Sequence, residues 1–189
     1  MIRYRSLTVA MMVGLGAISG CSTASSRLDP LAATAPSPYR LDAGDEVRIS
    51  VGGLDAITNT YVIGDTGVVS LPMLSPIQVA GRTVAEMQDA IAQQIRARQL
   101  VNEPNVQAQV IKYRPFFILG EVQRPGQYAY VPGMSVLNAV SIAGGYTFRA
   151  QRKYAAISRR AGDRTVEGRA TPNTPVLPGD TVTIDESWF

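Results

Sequence analysis

Gly44-Asp45-Glu46-Val47-Arg48-Ile49-Ser50-Val51 is the stretch from which the fold can be worked out. Polar and apolar residues alternate with a period of two from Glu46 to Val51, which predicts a half-buried β-strand. Gly44-Asp45 predicts a turn before it, because glycine accepts positive φ and aspartate bonds nearby backbone amides. The phrase returns as Gly179-Asp180-Thr181-Val182-Thr183-Ile184, and more loosely from Gly64 to Leu71. We therefore predict related turns, with these aspartates as turn caps rather than catalytic groups.

A helix is predicted downstream of this strand. Thr83-Val84-Ala85-Glu86 fits the capping box, in which a threonine and a glutamate side chain each bond the other's backbone amide. Apolar residues then recur at spacings of three or four and form one stripe that should pack on a sheet: Val84, Met87, Ile91 and Ile95. Two strands are predicted next. The stretch 106–110 alternates, whereas 115–120 is apolar throughout and is predicted to be buried.

The second half of the chain contains a similar mixture of short elements. Pro125-Gly126 predicts a turn, and Ser135 is the predicted N-cap of a short helix that ends at Gly144-Gly145. The residues predicted to face inward from this helix are Val136, Leu137 and Val140. Further strands are predicted over 154–158 and 181–184. With a boundary near residue 113, the pattern predicts an α+β protein: an α/β domain followed by a second module of short strands, with one helix in each.

Targeting signals occupy the N-terminus. Arg3 and Arg5 precede an apolar run from Leu7 to Ile18, which is shorter than the roughly 20 residues of a membrane span. Ile18-Ser19-Gly20-Cys21 resembles the lipobox of bacterial lipoproteins, which implies cleavage before Cys21 and its lipidation; the alternative is an ordinary secretory signal with a chance cysteine. We predict a signal peptide over 1–20 and a lipidated flexible linker over 21–38, which is rich in Ser, Ala, Thr and Pro.

The composition of the 189-residue chain argues against several classes of protein. Histidine is absent and Cys21 is the single cysteine, so the commonest metal ligand and general base are missing. There is also no P-loop or dinucleotide-binding fingerprint. We predict no enzyme, no catalytic residue, no cofactor and no metal site. Asp42 and Asp45 are interpreted as turn residues rather than as a glycosidase pair.

Charge argues against nucleic acid as a partner. The chain has 18 basic and 15 acidic residues, and removal of Arg3 and Arg5 with the signal peptide leaves a nearly neutral protein. A protein that binds nucleic acid through phosphate contacts normally carries a clear basic excess. We therefore expect no nucleic acid to bind.

Several phrases resemble the polysaccharide export domain of outer-membrane Wza-like lipoproteins, namely 39–45, 65–72 and 81–86. Others resemble the soluble-ligand-binding β-grasp module that follows it in that family, namely 120–128, 135–136 and 143–145. The resemblance runs from Tyr39 to Phe189 and implies an export domain over 39–113 and a β-grasp-like domain over 114–189. It also implies a periplasmic homo-oligomeric ring through which capsular polysaccharide or exopolysaccharide leaves the cell, in contact with an inner-membrane polysaccharide co-polymerase.

The C-terminus departs from the long members of that family. Those members end in an amphipathic helix whose ring forms the outer-membrane pore, whereas here only Asp185-Glu186-Ser187-Trp188-Phe189 follows the last predicted strand. This stretch is too short to span a membrane as a helix. The resemblance therefore implies a short member of the family, which would need a separate outer-membrane β-barrel as partner. We expect the protein at the outer membrane, lipid-anchored and facing the periplasm; Ser22 after the cysteine also resembles outer-membrane sorting patterns.

A basic cluster supplies candidate contact residues. From 149 to 169 the chain has seven basic residues and two acidic ones. Such a cluster is typical of a solvated strand edge, where Lys and Arg discourage strand pairing. That interpretation is preferred, and the alternative is a surface that attracts an acidic polysaccharide or partner. The candidates for polysaccharide or partner contact are Arg149, Arg152, Lys153, Arg159 and Arg160.

Two functions of different class remain open from the sequence. One is the ring-forming export conduit. The other is a monomeric periplasmic lipoprotein that binds a soluble glycan or peptidoglycan fragment. Five tyrosines are candidates for stacking on sugars, although packing as half-buried strand residues is the preferred interpretation: Tyr113, Tyr128, Tyr130, Tyr146 and Tyr154.

Overall fold

The computed structural model describes residues 24–31, 38–162 and 164–187. The strands are β1 (Glu46–Val51), β2 (Asn59–Val62), β3 (Val68–Val69), β4 (Ile77–Gln78), β5 (Val106–Lys112), β6 (Phe116–Gly120), β7 (Gly126–Tyr128), β8 (Ala155–Ala161), β9 (Arg164–Ala170) and β10 (Thr181–Ile184). The helices are α1 (Val84–Ala97) and α2 (Val136–Ile142), and a 3₁₀ turn covers Ala24–Arg27.

The first half of the chain packs one helix on a small antiparallel sheet. The sheet has the order β2-β1-β5, and β3 and β4 form a separate hairpin. The capping box that begins α1 is present: the Thr83 hydroxyl accepts the Glu86 amide at 3.2 Å, and the Glu86 carboxylate accepts the Thr83 amide at 2.7 Å. That second bond lowers the pKa of Glu86. Met87, Ile91 and Ile95 are fully buried, as their spacing predicted.

The second half forms a five-stranded mixed sheet with the order β7-β6-β10-β8-β9. Strands β6 and β10 run parallel, and the other neighbours are antiparallel. Helix α2 covers one face of the sheet, where Ala139 and Val140 join the same core cluster as Phe116, Ile118 and Val182. The predicted α+β class, with one helix in each half, is confirmed.

Two burial predictions for this half are wrong. Strand β6 is buried on one face only: Phe116 and Ile118 are enclosed, whereas Phe117 and Leu119 are 41% and 46% exposed. The reason is that the single helix covers only one side of the sheet. In α2, Leu137 is exposed and Ala139 lies in the core instead, because positions 136, 139 and 140 share one helical face.

Residues 24–31 lie along the edge of the second sheet. The Leu31 amide donates to the Arg169 carbonyl and the Arg169 amide donates to the Asp29 carbonyl, both at 2.8 Å. A Cβ at Gly168 would lie 2.8 Å from the Leu31 side chain, so the segment approaches β9 closely. The sequence predicted a flexible linker here. The edge of β9 explains the difference, because the Arg169 amide and carbonyl there provide hydrogen-bond partners for this segment.

Candidate functional site

The junction between the two halves is built around the buried carboxylate of Asp45. This carboxylate accepts the Asp42 amide at 3.0 Å, the Arg114 amide at 2.9 Å and the Tyr39 hydroxyl at 2.6 Å. The Arg114 guanidinium lies 3.4 Å from the same carboxylate and also bonds the Tyr39 hydroxyl. Burial, together with the bond to Asp45, raises the pKa of Tyr39. With no exposed surface and every bond internal, Asp45 has a structural role and cannot reach a substrate.

A second buried carboxylate, that of Asp180, holds Arg159 in place. Arg159 donates from Nε and Nη2 to the two carboxylate oxygens at 2.9 and 2.7 Å, and its side chain is only 14% exposed. The same Nη2 bonds the Pro175 carbonyl at 3.0 Å. Arg159 was predicted from the sequence as a polysaccharide or partner contact. Its guanidinium is instead engaged inside the second domain, because the buried Asp180 needs a compensating charge.

The other candidate arginines and lysine divide between the two ends of the second sheet. Arg160 lies at the end next to the first half of the chain, where it lines a cavity of about 550 Å³ with Arg40, Asp42 and Arg114. It forms no ion pair with any residue that the structure describes. Arg149, Arg152 and Lys153 lie near the opposite end. The seven residues of β8 separate the two ends by about 20 Å, so the cluster is not one surface.

We call that opposite end the distal end; it is formed by residues 24–31, 147–153 and 185–187. Asp185 joins its parts, since its carboxylate accepts the Ser25 amide at 2.6 Å and its carbonyl accepts the Gln151 amide at 2.8 Å. Arg149 forms an ion pair with Glu186. Lys153 is exposed, and Arg152 is exposed but also lies over the Tyr146 ring at 5.9 Å.

Phe148 is the most exposed large hydrophobic residue of the described part of the chain, at 85%. It stands in the distal-end loop, between Thr147, which is bonded to Glu121, and the paired Arg149. No pattern in the sequence singles it out. A phenylalanine in a loop after Gly144-Gly145 carries no periodic signal, so its exposure could only be learned from the packing around it.

All five candidate tyrosines contact other side chains of the protein. Tyr128, Tyr130 and Tyr146 pack against the core of the second domain, and Tyr128 stacks on Phe116 at 6.0 Å between ring centroids. Arg169 covers the Tyr154 ring at 4.8 Å. Tyr113 stands between Tyr39 and Tyr130, with edge-on ring contacts at 5.0 and 5.5 Å. Tyr113, Tyr128 and Tyr130 also line a groove of about 710 Å³ between the two halves.

Cys21 lies outside the residues that the structure describes. In residues 24–31, 38–162 and 164–187 there is no group of three or more Cys, Asp and Glu side chains arranged to hold a metal ion. Neither α1 nor α2, nor any other helix in that part of the chain, has the length and apolar character that crossing a membrane requires.

Comparison with known proteins identifies two domains in series. Residues 33–111 match the family described as polysaccharide biosynthesis/export protein, and residues 115–170 match the SLBB domain. Exopolysaccharide production protein ExoF of Rhizobium meliloti (strain 1021) is 32% identical over 141 residues, which covers 66% of this chain and 34% of ExoF. EPS I polysaccharide export outer membrane protein EpsA of Ralstonia solanacearum is 32% identical over 145 residues, which covers 62% of this chain and 37% of EpsA. The chain thus spans only about a third of the length of these relatives.

Proposed function

The chain belongs to the Wza-like polysaccharide export family, whose members are transport components rather than enzymes, and on that premise we propose that it is a lipid-anchored subunit of a machine that exports capsular polysaccharide or exopolysaccharide across the periplasm. The observation that carries the proposal is the order of the two domain matches, 33–111 and then 115–170. Relatives named for exopolysaccharide production and for polysaccharide export at the outer membrane support the same role. We keep the division into an export domain over 39–113 and a second, β-grasp-like domain over 114–189.

Lipid anchoring at Cys21 is the part of the proposal that places the protein at the outer membrane. The lipobox-like sequence before Cys21 and the outer-membrane name of EpsA support it. Several acyl chains would bind the membrane far more firmly than a single one, since each buried methylene contributes about 0.8 kcal/mol. The anchored protein would then face the periplasm.

A ring of identical subunits is the second part of the proposal. The uncovered face of the second sheet exposes Phe117 and Leu119, and Ile111 and Val131 are exposed along the groove between the halves. Exposed apolar surface of this kind favours self-association, and a head-to-tail contact that closes on itself forms a ring. Such a ring would pass the polysaccharide from an inner-membrane co-polymerase to a separate outer-membrane β-barrel.

Arg160 is the candidate that we retain for contact with an acidic polysaccharide or an acidic partner surface. It lines the cavity between the two halves and has no ion pair within the described residues. Arg114 in the same cavity is already neutralised by Asp42 at 3.6 Å and Asp45 at 3.4 Å. A ring would repeat the Arg160 charge once per subunit and so strengthen its field.

Deletion of the gene and complementation, combined with native mass determination of the lipidated protein in detergent, test this function. We expect polysaccharide secretion to stop on deletion and to return with the wild-type gene, and the protein to have the mass of a closed homo-oligomer. Cys21→Ser should lose palmitate labelling and outer-membrane fractionation. A lipidated protein that remains monomeric at membrane-like density while secretion is normal would contradict the ring.

The groove of about 710 Å³ favours the alternative function, a monomeric lipoprotein that binds a soluble glycan or peptidoglycan fragment, since half-buried tyrosine rings are suited to stacking on sugars. Under that alternative, deletion would leave secretion intact. The purified monomer would instead bind glycan fragments, and Tyr113→Ala would weaken this binding.

A further inference from the structure

The distal end of the second domain combines three features that suit contact with a membrane surface. Phe148 is 85% exposed, which leaves most of its aromatic ring uncovered by the described residues. The basic side chains of Arg152 and Lys153 are exposed in the same loop and form no ion pair with any residue in the described ranges. The N-terminal segment docks beside this loop, because Ser25 and Gln151 both donate their amides to Asp185.

The length of the chain outside the described residues sets how far the distal end lies from the lipid anchor. Cys21 precedes Ala24 by three residues, and an extended chain spans at most about 3.5 Å per residue. An acylated Cys21 therefore holds the start of the docked segment within about 10 Å of the bilayer surface. The hydrogen bonds of Leu31 and Arg169 fasten that segment to β9, so an acylated Cys21 would hold the second domain close to the membrane by this end.

The first domain meets the second sheet at the end opposite to the distal end. Arg114 and Pro115 meet the second domain at Gly179, since the Gly179 amide donates to the Pro115 carbonyl at 3.0 Å. This contact lies at the beginning of β6 and β10, whereas the distal end follows the last residues of those parallel strands. The first domain is thus separated from the distal end by the length of the sheet.

We propose that the distal end is a membrane-contact surface, in which Phe148 enters the interface of an anionic phospholipid layer and Arg152 and Lys153 lie against the lipid phosphates. The proposal rests on the lipid anchor of the proposed function and adds the surface that orients the anchored protein. An aromatic ring suits the boundary between headgroups and acyl chains, and basic side chains are attracted to anionic headgroups. Arg149 contributes no net charge here, because it is paired with Glu186.

The test uses the full-length lipidated protein in vesicles of phosphatidylethanolamine and phosphatidylglycerol. A polarity-sensitive fluorophore is attached to Phe148→Cys, and to Val62→Cys as the matched control, since Val62 is 61% exposed on β2 of the first domain. Cys21 is acylated in this material and leaves no second thiol. We expect a lipid-borne nitroxide to quench the probe at 148 and aqueous iodide to quench the probe at 62. Equal quenching of both probes by iodide, with the protein bound to the vesicles, overturns the proposal and leaves the anchor intact.

Charge variants test the role of the basic pair. Each Lys or Arg near an anionic surface contributes about 1 kcal/mol, so Arg152→Gln together with Lys153→Gln should lower the lipid-to-water ratio of the probe at 148 by roughly 20- to 30-fold. Arg164→Gln, an exposed residue of β9 at the other end of the sheet, should leave that ratio unchanged. An equal effect of both sets of substitutions overturns the assignment of the basic pair.

Two further results would separate the remaining explanations. If the probe at 148 stays in water on vesicles and is protected only after addition of polygalacturonate, the distal end contacts polysaccharide rather than lipid, and the proposal is overturned. If the wild-type protein does not bind vesicles at all, the lipid anchor of the proposed function fails together with this surface.

Discussion

Asp45 and Asp180 hold the same position in two copies of one turn. Each is buried, and each accepts the amide of the residue three positions earlier, at 3.0 Å from Asp42 and 2.7 Å from Leu177. Gly44 and Gly179 precede them with φ of 88° and 84°. Each carboxylate also pairs with an arginine, Arg114 for the first and Arg159 for the second. The repeated Gly-Asp phrase of the sequence is therefore a repeated structural unit that begins β1 and β10.

The two turns meet at Arg114, which joins the domains. Its amide and guanidinium contact Asp45. A Cβ added to Gly179 would lie 2.8 Å from the Arg114 Nε. Such a contact is shorter than real side chains adopt, so only glycine fits without a shift. Arg114 thus lies between two glycine turns, one from each domain.

Removal of the Arg159 side chain should destabilise the second domain. Arg159→Ala leaves Asp180 as a buried carboxylate without its charge partner, and loss of one member of a buried pair costs about 3–5 kcal/mol. Arg160→Ala is the matched control, because the neighbouring side chain is exposed and should change the free energy of unfolding by less than about 0.5 kcal/mol. Urea denaturation followed by circular dichroism measures both. Equal stabilities of the two variants would refute the structural role of Arg159.

A methyl group at Gly179 should disturb the junction. In Gly179→Ala the new side chain has to accept a φ of 84° and also contacts the Arg114 side chain. We expect the free energy of unfolding to fall by about 2–4 kcal/mol, because backbone strain and displacement of the arginine add together. Gly133→Ala has a similar φ of 82° but nothing within 4 Å of the new Cβ, so only the backbone contribution of about 1 kcal/mol should appear. The difference between the two melting transitions isolates the contact with Arg114. Indistinguishable losses would mean that this contact carries no energy.

The stability of the protein should decline at alkaline pH through Tyr39. Burial and the bond to Asp45 raise the pKa of Tyr39 above its ordinary value of 10.0, so the folded state retains the phenol proton where the unfolded state releases it. The associated stability is complete below about pH 10 and is lost as the pH rises further. Tyr39→Phe should make the free energy of unfolding less sensitive to pH in this range, while it lowers stability at pH 7 by about 1–2 kcal/mol.

Tyr61→Phe provides the comparison for this titration. Burial also raises the pKa of Tyr61, but its hydroxyl bonds the Ile57 carbonyl rather than a carboxylate. We expect Tyr61→Phe to reduce the alkaline slope less than Tyr39→Phe does. Urea titrations from pH 8 upwards would measure the free energy of unfolding of both variants as a function of pH. Identical slopes for the two variants would contradict the role of Asp45.

Charge reversal at Arg160 should weaken polysaccharide export. Arg160→Glu places an acid in the cavity between the domains, where it would repel an acidic polymer or partner. We expect secreted polysaccharide to fall several-fold at an unchanged level of folded, lipidated protein, and to fall further at low ionic strength because the repulsion is less screened. Arg164→Glu on the neighbouring strand is the control for a general change of surface charge. Normal secretion by the Arg160 variant would show that this residue is ordinary surface.

Local sequence determined much of the element structure. The alternation from Glu46 to Val51 predicted β1 with its observed bounds, and Thr83 to Glu86 predicted the capping box of α1. The interpretation of Asp45 and Asp180 as turn caps is confirmed by their bonds to the amides three residues earlier. These features depend on neighbours within a few positions, such as a glycine that adopts positive φ or a side chain within reach of the next helical turn. Such information is complete in a short stretch of chain.

Tertiary structure decided which charges are available and which faces are covered. No local pattern distinguishes Arg159 from Arg160. Asp180, 21 residues further along the chain, pairs with Arg159, whereas Arg160 is exposed. Phe117 and Leu119 look like core residues in the sequence and are exposed because only one helix covers the sheet. The docking of residues 24–31 beside Phe148 depends on the edge of β9, which is assembled from distant parts of the chain. The sequence specifies local conformation, whereas pairing and burial depend on which residues folding brings into contact.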